Sequence, residues 1–298
     1  MEMLTLSHIA KRFGEKQVLR DVSFSVPEHT VFGFVGQNGA GKTTAMKLIL
    51  GLLTSDSGEI TVNGMRVHYG NTQTNRFVGY LPDVPEFYSY MTPAEYLRFC
   101  GEITGMPSKE IKGRCEELLR LVGLEKEDRR IKGFSRGMKQ RLGIAQALFG
   151  RPKLLICDEP TSALDPAGRK ELLDILVNAK EQTTVLFSTH ILSDVEHICD
   201  EIAFLHDGRI VLQGSLEEVR KIKTTAAAEL ELERLEDSQT LSSVFPHLKS
   251  IGRNTLLLED AGNLPDILYY LGDKRIPILR IERKEASLEE LFMEVVGK

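Results

Sequence analysis

The chain has 298 residues, 42% apolar and 27% charged, with a formal net charge of −5. That length predicts about two domains and a core large enough to need no covalent staples. The acidic balance argues against broad adhesion to nucleic acid or anionic lipid; the four cysteines (Cys100, Cys115, Cys157, Cys199) lie far apart without a CxxC pair, so they imply neither a disulfide framework nor a cysteine metal site, and a reducing cytosol fits.

The first residues, MEMLTLSHIAKRFG, place no apolar segment behind a basic one, so no signal peptide is expected. Apolar runs such as KLILGLL fall short of the roughly 18 residues that span a bilayer, so action at a membrane would need another chain to cross it. From Met1 to about Val84, β-rich runs alternate with turn signals, and Asn63-Gly64 inside EITVNGMRV predicts a type I′ hairpin. Within this region FVGQNGAGKTTAMKLIL predicts a strand, a glycine loop and a helix starting near Lys42. From about Pro85 to Gly150 the pattern is helical, and Thr92, Pro93 and Glu95 predict an N-cap, an N1 proline and a capping-box glutamate. Strands return at Lys153 with KLLIC, TTVLFST and IAFLHDGRIVLQG, the last folding back at Asp207-Gly208; Ser193 to Glu196 predicts a second capping box. Strands alternating with helices predict an α/β sheet with parallel strands, the helical middle being an insertion into it. After about Lys223, TTAAAELELERLEDS reads as a linker followed by a strand, and the remainder as a small α+β domain.

Two stretches have the chemistry of phosphate binding. Gly36, Gly39, Gly41, Lys42 and Thr43 satisfy G-x-x-x-x-G-K-[ST], a loop whose inward-turned N–H groups cradle phosphate oxygens. Lys42 is placed to reach the β- and γ-phosphates and Thr43 to ligate Mg²⁺, while the helix directs its positive end at the anion. KLLICDEP brings Asp158 to a strand end, suited to hold the Mg²⁺ shell, with Glu159 beside it suited to take a proton from attacking water. His190, at the end of LFSTH, reads either as a structural residue or as a γ-phosphate contact. The second stretch, GFSRGMKQR, has no carboxylate, histidine or cysteine, but carries a hydroxyl, a flexible glycine and cations at the mouth of a predicted helix. Ser135 there reads as a phosphate ligand, as an ordinary helix cap, or as both.

In their order along residues 2 to 220 these motifs resemble the ATP-binding cassette (ABC) ATPases. The resemblance assigns Gly36, Gln37, Asn38, Gly39, Ala40, Gly41, Lys42, Thr43 and Thr44 to the Walker A loop, Asp158 to Walker B, Glu159 to the catalytic base, SALD (Ser162 to Asp165) to the D-loop, His190 to the switch histidine and FSRGM (Phe134 to Met138) to the signature. It implies an α/β P-loop core with an antiparallel β subdomain and a helical subdomain at about 85–150, together a nucleotide-binding domain over 1–222, then an accessory α+β domain over 223–298. It implies ATP and Mg²⁺ as cofactors and hydrolysis to ADP and phosphate, carried by Lys42, Glu159 and His190. It implies a head-to-tail pair of copies, in which Ser135, Arg136 and Gly137 serve the neighbour's ATP. Three positions depart from the family's habit: Arg136 replaces a glycine, Asp83 takes the place of the Q-loop glutamine, and Phe13 stands where the adenine-stacking aromatic is often tyrosine. Aspartate still ligates Mg²⁺ or its water, so the expected metal set is Thr43, Asp83 and Asp158. Phe13 keeps the π-face, although a core phenylalanine is the alternative.

The C-terminal ASLEELFMEVV looks like the extra domain of bacterial ABC-2-type exporters. The chain is therefore expected to be the cytoplasmic nucleotide-binding subunit of an exporter, peripheral to the inner face of the membrane. It would drive a separate multi-span permease that it contacts near Asp83 and the following helix, with no nucleic-acid partner. The alternatives are a non-transport ABC ATPase and a subunit that binds ATP without turnover.

Overall fold

The computed structural model describes residues 1–70, 73–221, 227–284 and 287–296. Two compact units divide the chain, Met1–Leu216 and Glu217–Lys298. The domain boundary expected at 222/223 falls within 222–226, outside the described residues.

The first unit opens with the long antiparallel pair β1 (Glu2–Phe13) and β2 (Lys16–Pro27). Then β3 (Val31–Val35) enters the interior and leads through the glycine loop into α1 (Lys42–Ile49). β4 (Ser57–Val62) and β5 (Met65–Arg66) fold over Asn63 and Gly64, whose φ angles of 50° and 73° are those a type I′ turn requires. There follow β6 (Val78–Leu81), α2 (Pro93–Ile103), α3 (Ser108–Leu121), α4 (Arg136–Leu148), β7 (Leu154–Asp158), α5 (Pro166–Ala179), β8 (Thr184–Thr189), α6 (Leu192–Ile198), β9 (Glu201–His206) and β10 (Arg209–Ser215).

Among the described residues these strands make one sheet in the order β5-β4-β1-β2-β10-β9-β3-β8-β7-β6. The β5 to β2 portion is antiparallel, whereas β9, β3, β8, β7 and β6 run parallel. Every residue of β3, β7 and β8 is buried, as strands covered on both faces must be. Phe24 of β2 stacks on Phe32 and Phe34 of β3 at centroid distances of 5.5 and 5.1 Å, in the main apolar core. Each such burial contributes about 1.5–3 kcal/mol.

Register places the site. Val35 lies opposite Thr189, Asp158 opposite Ser188, and Leu81 opposite Cys157. The carboxyl ends of β3, β8, β7 and β6 thus finish along one edge, where open parallel sheets bind ligands.

Helices α2 to α4 occupy the connection between the neighbouring strands β6 and β7, as an insertion. α2 starts on the expected box: Thr92 Oγ1 accepts from the Glu95 N–H (3.3 Å), the Glu95 carboxylate accepts from the Thr92 N–H (2.8 Å), and Pro93 fills N1. Buried Arg114 of α3 donates to the Leu148 and Phe149 carbonyls, satisfying otherwise orphaned acceptors at the end of α4. α4 meets β6 so closely that a Cβ on Gly79 would lie 2.2 Å from the Ala147 carbonyl oxygen, and one on Gly143 2.5 Å from Leu81.

The capping box expected at Ser193 to Glu196 does not form. α6 begins earlier, capped on Ile191 without a side-chain bond. Asp194 turns inward instead, 3% exposed, where the Thr161 hydroxyl donates to it (2.7 Å) and Arg169 of α5 pairs with it. A buried carboxylate needs such partners, and that requirement outweighs a local cap.

From the division onward come α7 (Leu216–Lys221), β11 (Ala227–Leu232), α8 (Leu235–Val244), β12 (Leu248–Ser250), β13 (Thr255–Leu258), α9 (Leu264–Asp273), β14 (Ile278–Lys284) and α10 (Leu288–Val296). The strands form an antiparallel sheet in the order β12-β13-β11-β14. Alternation along β11 buries Ala228, Leu230 and Leu232 in one apolar cluster with Leu241 of α8 and Ile267 and Leu271 of α9.

Gly79→Ala should lower unfolding stability by about 1–3 kcal/mol, because its methyl meets backbone that cannot yield. Gly113→Ala, in the exposed interior of α3 with open space around it, should raise stability by about 0.5–1 kcal/mol. Urea unfolding of the two variants checks both signs.

Candidate active site

The loop after β3 is tied to the neighbouring strand end, since the Gly36 N–H donates to the Thr189 carbonyl (3.2 Å). Ala40 N–H closes the loop onto the Gln37 carbonyl (3.1 Å). Gly41 caps α1 at φ 113°, and a Cβ there would run into Leu19 at 2.8 Å, so conformation and space both demand glycine. Lys42 is 5% exposed, and its ammonium donates to the carbonyls of Gly36 (2.5 Å) and Gln37 (3.2 Å). The first turn of α1 holds no acidic residue, leaving its positive end free to face an anion. Asn38, Gly39, Gly41, Lys42, Thr43 and Thr44 line a cavity of ≈ 500 Å³ whose walls also include Phe13, Asp83, Asp158 and Glu159. Phe13 is 48% exposed, which excludes the core alternative, and the Lys11 ammonium stands 5.4 Å from its ring centroid.

One hydroxyl orders the acidic end of β7. Ser188 Oγ donates to Asp158 Oδ1 (2.7 Å) and accepts from the Glu159 N–H (3.0 Å). Glu159 has φ 50°, a left-handed conformation that costs a non-glycine residue about 1–3 kcal/mol and is held here by its N–H bonds to Ser188. Its Oε2 lies 2.8 Å from His190 Nδ1. Its buried Oε1 has no hydrogen bond but stands 3.0 Å from the Lys42 ammonium, an ion pair held by charge alone. Burial, and then the Asp158 charge, push the Tyr80 phenol up to about 12, so it stays protonated near neutrality. Burial likewise raises the Cys157 thiol and leaves it inert. Beyond Glu159, Thr161 is fastened through Asp194 to Arg169.

The residues read as the signature sit elsewhere. Ser135 caps α4, its Oγ accepting from the Met138 N–H (3.2 Å). Ser135, Arg136 and Gly137 line a second cavity of ≈ 370 Å³ with Ala163, Leu164 and Asp165, and are absent from the walls of the first. The Arg136 guanidinium donates to Asp83 Oδ1 and to Ser162 Oγ (3.1 Å each).

The proposed metal donors Thr43, Asp83 and Asp158 are all oxygen ligands around one cavity, the set that suits Mg²⁺. Among the described residues no three acidic, histidine or cysteine side chains converge to hold a metal alone. Sequence reading missed Ser188, a single hydroxyl inside a β-rich run, and Asp194, whose surroundings spell a helix cap.

Residues 19–162 match the ABC transporter family, and residues 214–296 match the C-terminal domain of DrrA1-3-like ATP-binding proteins. The chain is 37% identical over 300 residues to the uncharacterized ABC transporter ATP-binding protein YxlF of Bacillus subtilis (strain 168), covering 99% of each. It is 32% identical to the bacitracin transport ATP-binding protein BcrA of Bacillus licheniformis, covering 99% of this chain and 97% of the relative. A solved ATP-binding subunit of an ABC transporter superposes with a TM-score of 0.66 at 35% identity, covering 74% of this chain and 92% of that one. Matched along its length by such relatives and folded as they fold, the chain belongs to the ATP-binding proteins of ABC transporters.

Proposed function

We propose that this chain powers an exporter by hydrolysing ATP as a head-to-tail pair of copies, with Glu159 as general base. Members of its family couple ATP hydrolysis to transport, and so does this chain. The observation that carries the residue assignment is Glu159 held between Lys42 and His190 beside Asp158. Lys42 and the loop N–H groups grip the phosphates, and His190 holds Glu159 Oε2 so that the carboxylate can take a proton from water. Mg²⁺, held by Thr43, Asp158 and Asp83, would supply charge neutralisation at the phosphates. Pairing is supported by the two separate cavities: the Walker residues and the signature of one chain do not face a common space.

Export is favoured by the match of residues 214–296 to a DrrA1-3-like domain and by the likeness to BcrA, a bacitracin transport protein. A groove of ≈ 960 Å³ beside β6 and α2, with Tyr88, Phe99 and Ile103 in its wall, is the surface we assign to the permease. No helix among the described residues is long and apolar enough to cross a membrane. In this reading the spanning part belongs to the permease, as the family match supports, and this chain works on its cytoplasmic side. Residues 1–222 would form the cassette, and 223–298 an accessory domain that steadies the pair or modulates it.

Glu159→Gln should keep ATP binding and slow hydrolysis by about 10²–10⁴; turnover like the parent's in phosphate-release assays would remove Glu159 from the role. Lys42→Ala and Ser135→Arg should each abolish hydrolysis, while a mixed pair regains one intact site, joining the Walker loop of the second variant to the signature of the first. Single-turnover hydrolysis in verified mixed pairs is the measurement, and its absence would leave Ser135 as a cap alone. A chain ending at Lys221 should remain soluble and bind ATP, checked by nucleotide titration; an insoluble product would make the remaining residues part of the core.

A further inference from the structure

The two polar departures from the family's usual residues touch each other. Arg136 donates to Asp83 Oδ1 (3.1 Å); the Ser162 hydroxyl donates to the same oxygen (2.7 Å) and accepts from Arg136 (3.1 Å). Ser162 in turn belongs to the turn that starts at Glu159, whose carbonyl accepts its N–H (3.1 Å). Four residues along α4, on the same face as Arg136, the buried Gln140 amide donates to the Asp83 main-chain carbonyl (2.6 Å). Residue 83 is therefore held by α4 through both its main chain and its side chain. Yet Asp83 lines the cavity of Thr43, Asp158 and Glu159, whereas Arg136 lines the cavity of the signature. One carboxylate faces the chain's own nucleotide site, and its counter-ion belongs to the surface that would face the partner's.

Both bonds leave from one nitrogen, Arg136 Nη2, so turning that nitrogen toward a partner's phosphate would take it from Asp83. Released by Arg136, Asp83 would keep the Ser162 hydroxyl but lose its counter-charge near Asp158, Glu159 and a polyphosphate, and like charges so placed repel. A divalent cation at Asp83 removes that conflict. Both side chains are about half exposed, 49% for Asp83 and 44% for Arg136, so their pair is a modest and exchangeable one.

We propose that Arg136 is a positioning residue that trades places with Mg²⁺. Before metal binds, Arg136 neutralises and orients Asp83; once Asp83 serves the metal, Arg136 is free to turn to the partner's nucleotide. Loading one site thereby prepares the signature that completes the other. This rests on the reading that two copies pair around ATP and that Asp83 belongs to the metal site.

The test uses the full chain with Glu159→Gln, which slows turnover, and follows pairing by sedimentation at graded ATP, with Mg²⁺ or with EDTA. In this parent, Mg²⁺ should lower the ATP concentration for half-pairing. Arg136→Gln should shrink that Mg²⁺ shift by roughly fivefold, the scale of a half-exposed ion pair, and Arg136→Lys should retain most of it. Asp83→Asn with Arg136→Gln should lose no more of the shift than Asp83→Asn alone. An undiminished shift in Arg136→Gln overturns the exchange, as do losses from the two single variants that multiply in the double. A parent that never pairs with ATP overturns the two-chain reading beneath it, a separate result from retained pairing with an unaltered shift.

Discussion

Parallel hydrogen bonding among β3, β8, β7 and β6 is the constraint on which the rest of the candidate site depends. It sets Asp158 opposite Ser188 and Val35 opposite Thr189, so loops distant in sequence leave the sheet along one edge. Side chains alternate faces along a strand, so a slip of β8 by one residue would turn Ser188 away from Asp158. Asp158 would lose its hydroxyl donor, and the left-handed Glu159 would lose a bond that holds it. The apolar residues of β7 and β8 are thus what make the polar geometry at their ends possible.

The buried charges are handled by pairing. Asp158 has Ser188, Asp194 has Thr161 and Arg169, and Lys42 has two carbonyls and Glu159. An unpaired charge at such depth would be expensive, so these side chains have little freedom to wander. By contrast Asp83, Arg136 and His190 are partly exposed, and their pairs are correspondingly easier to exchange.

Much of this was legible in the sequence because it is written contiguously. The glycine loop, the acidic strand end and the Thr92 box each signal within a few neighbouring residues, where local backbone chemistry decides the outcome. The turns at Asn63-Gly64 and Asp207-Gly208 are of the same kind. What was not legible depends on sheet register or on long separation. Nothing marks Ser188 among the residues of TTVLFST until β8 is laid against β7. Ser193 to Glu196 spells a cap, but tertiary burial of Asp194 overrides it. Arg136 and Asp83 lie 53 residues apart, and no spacing rule links a Q-loop position to a signature position.

The backbone contact between α4 and β6 gives that helix a fulcrum. Gly79 beneath Ala147 and Gly143 against Leu81 leave no slack near its carboxyl half. At a rise of 1.5 Å per residue, Arg136 stands about 10 Å up the helix axis from Gly143, the nearer of the two contacts. Tilting α4 there by some 10° would then sweep its amino tip through about 2 Å, enough to break a hydrogen bond. α4 is therefore a lever arm, in which a small angular change at a tightly packed base becomes a whole bond made or broken at the end that carries Ser135 and Arg136.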